Sequence, residues 1–286
     1  MKDDGAARAP LSPPAPADDR SAFRTFERDG WRRAAERYRI AWSRLTSQAF
    51  EPLLDAAGVG AGTRVLELAS GPGALCAAAA ARDAVPTGLD VSPEMVAIAR
   101  RDHPGIDFRE GDAERLPFEP RSFAAVVACF LLGHLAQPDA ALAEARRVLA
   151  SHGGLGLAWW LPPDRARSFD VILTAVREAG DIDAPLPQGP PFGDWSDPAV
   201  ARSRLGDLGW RDVAMREVAM TWEVGSADEF FVAYREGTVR TAGLLRAQTP
   251  DALRAIRVRV GELLEPFRRG EAYAIPMACW VGSARP

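Results

Sequence analysis

Residues 65–74, "VLELASGPGA", set a carboxylate, Glu67, inside an apolar run and break that run at Gly71 and Gly73. Two glycines so placed let a ligand approach the backbone, and the start of the following helix offers unpaired N–H groups. A second apolar run, "AVPTGLD" (84–90), ends on Asp90, 17 residues beyond Gly73. At the end of a second strand an acidic side chain can meet the hydroxyls of a ribose. A phosphate would face Glu67 with like charge, so the pattern suits a ligand that carries a cation, such as an amino group or a sulfonium. The residues describe a cradle for a nucleoside with a positively charged amino-acid tail. Without a ligand they would still make a tight strand-to-helix turn. A dinucleotide fingerprint would need a third glycine at 76, where Cys76 stands.

The elements that must position these residues follow from periodicity. Residues 23–57 predict helix, with Trp31, Ala35, Tyr38 and Trp42 three or four apart. Short apolar runs at 64–69, 84–90, 106–112, 123–130 and 154–160 alternate with helical stretches at 74–82, 93–101 and 139–150. That alternation predicts βαβ units and a parallel sheet with helices on both faces. Ser92, Pro93 and Glu94 fit a helix start: a cap, a fixed φ and a favourable charge. Beyond 160 the expectation is an amphipathic helix (165–180), a proline-rich loop (183–198), a helix (199–208) and a strand, whole or broken (210–223). Two helices (226–247 and 250–268) then precede a final apolar run (273–284). Residues 1–20, rich in Pro, Ala and Asp, predict a disordered tail.

The chain has 286 residues, 47% hydrophobic and 26% charged, with a formal net charge of −4. Mild acidity argues against a nucleic-acid binder, which would carry a basic face. Cys76, Cys129 and Cys279 form no C-x-x-C pair and no disulfide framework, which points to a reducing, cytoplasmic home. No run is long enough for a membrane span. His103, His134 and His152 lack companion ligands at suitable spacing, so no metal is expected.

"VLELASGPG", "GLDVSPEMVAIAR", "FREGDAERLPF" and "SFAAVVACFLLGHLAQPDAALAEARRVLASHGGLGLAWW" resemble, in order, the motifs of class I S-adenosylmethionine-dependent methyltransferases. The similar branch contains the ubiquinone and menaquinone C-methyltransferases and many small-molecule enzymes, including those of bacterial secondary metabolism. The likeness spans about residues 30–160. It implies a Rossmann-like α/β fold: a seven-stranded, mostly parallel sheet with helices on both faces and an antiparallel last strand. A helical N-terminal arm (21–60) would precede a cofactor-binding core (61–160) and a substrate region (161–286). The arm and a helical insertion (226–270) would form a lid. The implied cofactor is S-adenosylmethionine. Glu67 and the backbone of Ala69, Ser70, Gly71 and Gly73 would hold its methionine part, and Asp90 the ribose. Val91 and Met95 would pack on the adenine, whose edge would meet Asp112 and the Ala113 N–H. Cys129 would lie beside the transfer position, and Tyr38 would close over the methionine end. The family pattern has glycine where Ala69 stands.

His134, just past the fourth strand, is either a general base or a structural residue at a helix start. Trp31, Trp42, Trp160, Trp195, Phe231 and Tyr234 are either core or the wall of an apolar substrate site. Arg240 either anchors a substrate acid or joins a salt-bridged face. The expected activity is methyl transfer to a small, mainly apolar molecule of quinone, polyketide or terpenoid type, by a monomer or homodimer. The rival is a methyltransferase fold that keeps the cofactor but serves as a cyclase or binding module.

Overall fold

A computed structural model describes residues 17–286. The arm is three helices, α1 (Ala17–Ala41), α2 (Ser43–Thr46) and α3 (Phe50–Ala57). The first half of the sheet follows as β1 (Arg64–Leu68), α4 (Ala74–Ala80), β2 (Val85–Asp90), α5 (Pro93–Asp102), β3 (Asp107–Glu110), β4 (Phe123–Cys129), α6 (Pro138–Val148) and β5 (Leu149–Trp160). Then come α7 (Arg167–Ala179), α8 (Pro198–Asp207), β6 (Arg211–Val224), α9 (Ala227–Gly237), α10 (Arg240–Arg246), α11 (Pro250–Leu264), β7 (Arg268–Arg269) and β8 (Ala272–Arg285). The α1 helix starts at Ala17, inside the segment expected to be a tail, and Arg20 already donates to Gln137 Oε1 at 2.9 Å. The rest of that expected tail, 1–16, lies outside the described residues.

The strand order is β3-β2-β1-β4-β5-β8-β6, with β7 paired to β8. Strands β1 to β5 pair in parallel, and β8 runs antiparallel to both β5 and β6. The sheet therefore has eight strands rather than seven. The extra one is a two-residue hairpin partner of β8, turned at Gly270 with φ 63°. The order reverses between β1 and β4, so a crevice opens at the carboxyl ends of the strands there. Strand β1 is buried along all but its first residue, which explains its unbroken apolar run and makes Glu67 an exception within it.

Helix α5 starts as its sequence suggests: Ser92 Oγ accepts from the Met95 N–H at 3.3 Å, and Pro93 follows it. The predicted helix over 226–247 is two helices. Thr238 breaks it in extended conformation, and its Oγ1 donates to Tyr234 O at 2.7 Å and accepts from the Ala242 N–H at 3.2 Å. Strand β6 carries its irregularity between Arg211 and Ala214, where Asp212 has φ 52°. Helix α1 lies across α5 and α9, which brings the arm over the crevice.

Candidate active site

The loop after β1 has the backbone that its glycines foretell. Gly71 and Gly73 have φ of 52° and 85°, and Ala69 adopts φ 54°. The left-handed conformation of Ala69 is the physical reason a glycine would sit there at less cost. A Cβ on Gly73 would come within 2.6 Å of Phe108 Cζ, so that glycine seats the loop on β3. Asp90 ends β2 beneath the loop: one carboxylate oxygen accepts from the Gly71 N–H at 2.8 Å and the other from the Ser92 N–H at 2.9 Å. Burial nevertheless pushes its carboxyl up to about 6. Glu67 is buried and its Oε2 has no hydrogen-bond partner; burial pushes this carboxyl up to about 8. Ser70 Oγ is equally buried and unpartnered. A buried carboxyl oxygen and a buried hydroxyl without partners, on residues that line one recess, are costly unless a ligand supplies those partners. A ligand ammonium meets both needs.

Two cavities occupy the crevice. The first, about 350 Å³, is lined by Asp90, Val91, Met95, Asp112, Ala113 and Cys129 below and by Arg24, Glu27, Trp31 and Tyr38 of α1 above. A 40 Å³ recess beside it is lined by Glu67, Ala69, Ser70 and Gly71, and shares Tyr38, Ala69, Gly71 and Cys129 with the main cavity. The Arg24–Glu114 ion pair and the bond from Arg32 Nε to Glu94 at 3.0 Å fasten α1 over this floor. The second cavity, about 430 Å³, has walls from Trp42, Trp160, Phe169, Leu173, Leu186 and Phe192. The two cavities share Trp31, Tyr38, Phe130 and His134. Trp31 meets Tyr38 edge-on at 5.4 Å and His134 at 5.0 Å, while Phe130 stacks on Trp160 at 3.9 Å. One polar, charged chamber and one aromatic chamber thus touch through a ring of four side chains.

Most of the residues anticipated at a cofactor converge here. Tyr38, Ala69, Gly71, Asp90, Val91, Met95, Asp112, Ala113 and Cys129 line the first cavity, while Glu67 and Ser70 line its recess. Gly73 lines neither and acts as the cap position of α4. Of the substrate candidates, Trp31, Trp42, Trp160 and Arg240 line the second cavity. Trp195, Phe231 and Tyr234 do not and belong to the core. Trp195 is fully buried with its carbonyl bound by Trp280 Nε1, Tyr234 hydrogen-bonds Ser168 at 2.7 Å, and Phe231 is buried on α9. Of the two readings of Arg240, the structure shows the salt-bridged one. Its Nε pairs with Glu27 at 3.1 Å, and its other two nitrogens donate to Pro190 O at 2.9 Å and Gly133 O at 2.6 Å.

Sequence reasoning missed Glu27, Phe130 and Phe169. Glu27 stands four residues before Trp31 and eleven before Tyr38, on the same face of α1, so a lone acid on an aromatic stripe was its only signal. Phe130 and Phe169 gave no signal beyond apolarity.

The Methyltransferase domain family profile matches residues 65–153. The chain is 31% identical over 186 residues to the demethylmenaquinone methyltransferase of Renibacterium salmoninarum, spanning 62% of this chain and 76% of the relative. It is 33% identical over 186 residues to the demethylmenaquinone methyltransferase of Beutenbergia cavernae, with 62% and 75% covered. The crystal structure of the [4+2]-cyclase SpnF superposes with a TM-score of 0.54 at 19% identity, over 98% of this chain and 99% of that one, which is a likeness of fold.

Proposed function

We propose that this chain, which belongs to the class I S-adenosylmethionine-dependent methyltransferases and resembles the ubiquinone/menaquinone C-methyltransferases among them, methylates a small, mainly apolar acceptor of quinone, polyketide or terpenoid type. The observation that carries the acceptor class is the aromatic chamber joined to the cofactor chamber through Trp31, Tyr38, Phe130 and His134. Its volume falls in the range of small-molecule sites, and its walls can bind mainly by burying ligand surface. Relatives that methylate demethylmenaquinone support the same reading. A macromolecular acceptor would need an open, charged groove at this place. The three free cysteines support a reducing, cytoplasmic setting, and no helix among the described residues is long and apolar enough to cross a membrane.

The cofactor is S-adenosylmethionine, whose sulfonium supplies an activated methyl group. In our reading the unpartnered Glu67 Oε2 and Ser70 Oγ hold the amino-acid end, with Tyr38 above them. Asp90 meets the ribose hydroxyls, and Asp112 and the Ala113 N–H take the adenine edge between Val91 and Met95. Helix α1 covers both chambers, so the protein aligns the reactants and excludes water, which is where most of the rate arises. His134 lines both chambers and is the base candidate.

Thermal shift tests this assignment. S-adenosylmethionine and its demethylated product should raise the melting temperature by mass action, and NADH should not. Asp90→Ala and Gly71→Val should each remove most of that shift. A shift unchanged in both variants would sink the site assignment.

A further inference from the structure

A partly buried hydrogen-bond chain crosses the junction of the two chambers. Glu27, on α1, is 4% exposed. One of its oxygens lies 3.0 Å from His134 Nδ1 and the other accepts from Arg240 Nε at 3.1 Å. Arg240 is itself fixed by the carbonyls of Pro190 and of Gly133, the neighbour of His134. The imidazole is enclosed by Trp31 at 5.0 Å, Phe192 at 5.5 Å and Trp159 at 5.9 Å. Its Nε2 has no protein partner among the described residues, and the ring lines both chambers. An ionised carboxylate only accepts, so a neutral ring beside it carries its hydrogen on Nδ1 and its lone pair on Nε2. That is the tautomer a base requires.

We propose that Glu27 is the positioning residue for a general base at His134 Nε2, and that the acceptor reacts through a phenolic or enolic hydroxyl. This rests on the methyltransferase reading above. The acceptor oxygen forms a bond to the methyl carbon, the electron pair of the broken carbon–sulfur bond stays on sulfur, and the hydroxyl proton passes to Nε2. The sulfonium charge ends on the imidazolium, which Glu27 stabilises. A carboxylic acid would arrive ionised and want an uncommitted cation, yet Arg240, on the wall of the aromatic chamber, is already ion-paired with Glu27 and bonded to two backbone carbonyls. A phenol or enol arrives neutral, which an apolar chamber favours, and it must then lose a proton as it reacts.

The test measures kcat and KM for ring-substituted phenols and naphthols, from weakly acidic members to nitrophenols already ionised in the buffer, with methyl-labelled S-adenosylmethionine. For the weakly acidic members His134→Gln should lower kcat by about 10²–10⁴-fold. Glu27→Gln should lower it by roughly tenfold or more, and Glu27→Asp, which keeps the carboxylate, should recover part of that loss. KM should change little, and the cofactor-induced thermal shift should persist as the check on folding. Both deficits should shrink for the ionised nitrophenols, which a merely structural role would not produce. Equal losses across the series, no loss for weak acids, or methylation of amines or carboxylic acids to the exclusion of phenols would overturn the proposal. With three histidines in the chain, 15N NMR of His134 gives a reading that needs no acceptor. Wherever the ring is neutral its hydrogen is expected on Nδ1, and a neutral ring protonated at Nε2 would overturn the role of Glu27. Correct tautomer with no acceptor of any class would instead tell against the methyltransferase reading.

Discussion

Glu67 and Asp90 are buried carboxyls pushed up to about 8 and about 6, in both cases chiefly by burial. Bonds to Cys76 pull Glu67 back and the nearby Asp90 adds to the rise. The other groups facing Glu67 are the Cys76 and Cys129 thiols and the Tyr38 phenol, all pushed upward by burial, so they stay neutral over this range. Because the folded value for Glu67 lies above its ordinary 4.5, the protein without cofactor holds more protons than the unfolded chain between those limits. Its stability should therefore fall as pH rises through them. A cofactor ammonium against Glu67 favours the carboxylate, so binding should release a proton. Affinity should then rise roughly tenfold per pH unit up to about pH 8. Calorimetric titration near pH 7, in buffers of different ionisation enthalpy, should show the release, and Glu67→Gln should abolish both release and slope. A flat pH dependence in the wild type would remove Glu67 from the ammonium site. These two carboxyls were legible in the sequence because loop and partner lie within one βαβ unit. Glu27 was not, since His134 and Arg240 stand 107 and 213 residues away.

Among the elements, α1 lines both cavities, and at Gly30 it packs closely against Val239. A Cβ on Gly30 would overlap Cγ1 of Val239, the buried residue that caps α10. Gly30→Ala should push α1 off that contact, destabilise the fold by about 1–3 kcal/mol through overpacking, and weaken cofactor binding severalfold. Gly206, in α8, has open space where its Cβ would go, so Gly206→Ala should leave binding unchanged and stabilise the helix by about 0.5–1 kcal/mol. Denaturant unfolding and cofactor titration of the pair separate the two effects; equal binding in both variants would deny α1 its covering role. From β1 to β5 the helices and strands were legible from periodicity to within a few residues at most ends, whereas the arm, read as one helix over 23–57, is three. The break at Thr238 was not, because it depends on side-chain bonds to Tyr234 and Ala242 rather than on a proline or glycine. Gly154 and Gly156 in β5 read as weak strand formers. They are there because α3 packs against them, Ala57 O lying where a Cβ on Gly154 would go.

At the scale of the molecule, the sheet order places the loop after β1 and the end of β4 at the reversal point, and α1, α7 and α10 close an aromatic chamber beside it. The sheet and the cofactor floor could be read from motifs in order along the chain. The second chamber could not, because its walls come from residues 31 to 244 and only packing joins them. That packing is also why Trp195, Phe231 and Tyr234 sit in the core while Phe130, Phe169 and Phe192 line the chamber. Under the proposed function a methyl group passes from the polar chamber into the aromatic one. The most direct measurement incubates the protein with methyl-labelled S-adenosylmethionine and, in parallel, with small hydrophobic hydroxyarenes and quinols, with bulk RNA, with DNA and with protein. Label should appear in an organic-extractable small molecule, with His134→Gln and Asp90→Ala both reducing it. Label found in RNA, DNA or protein and in no small molecule would contradict the account.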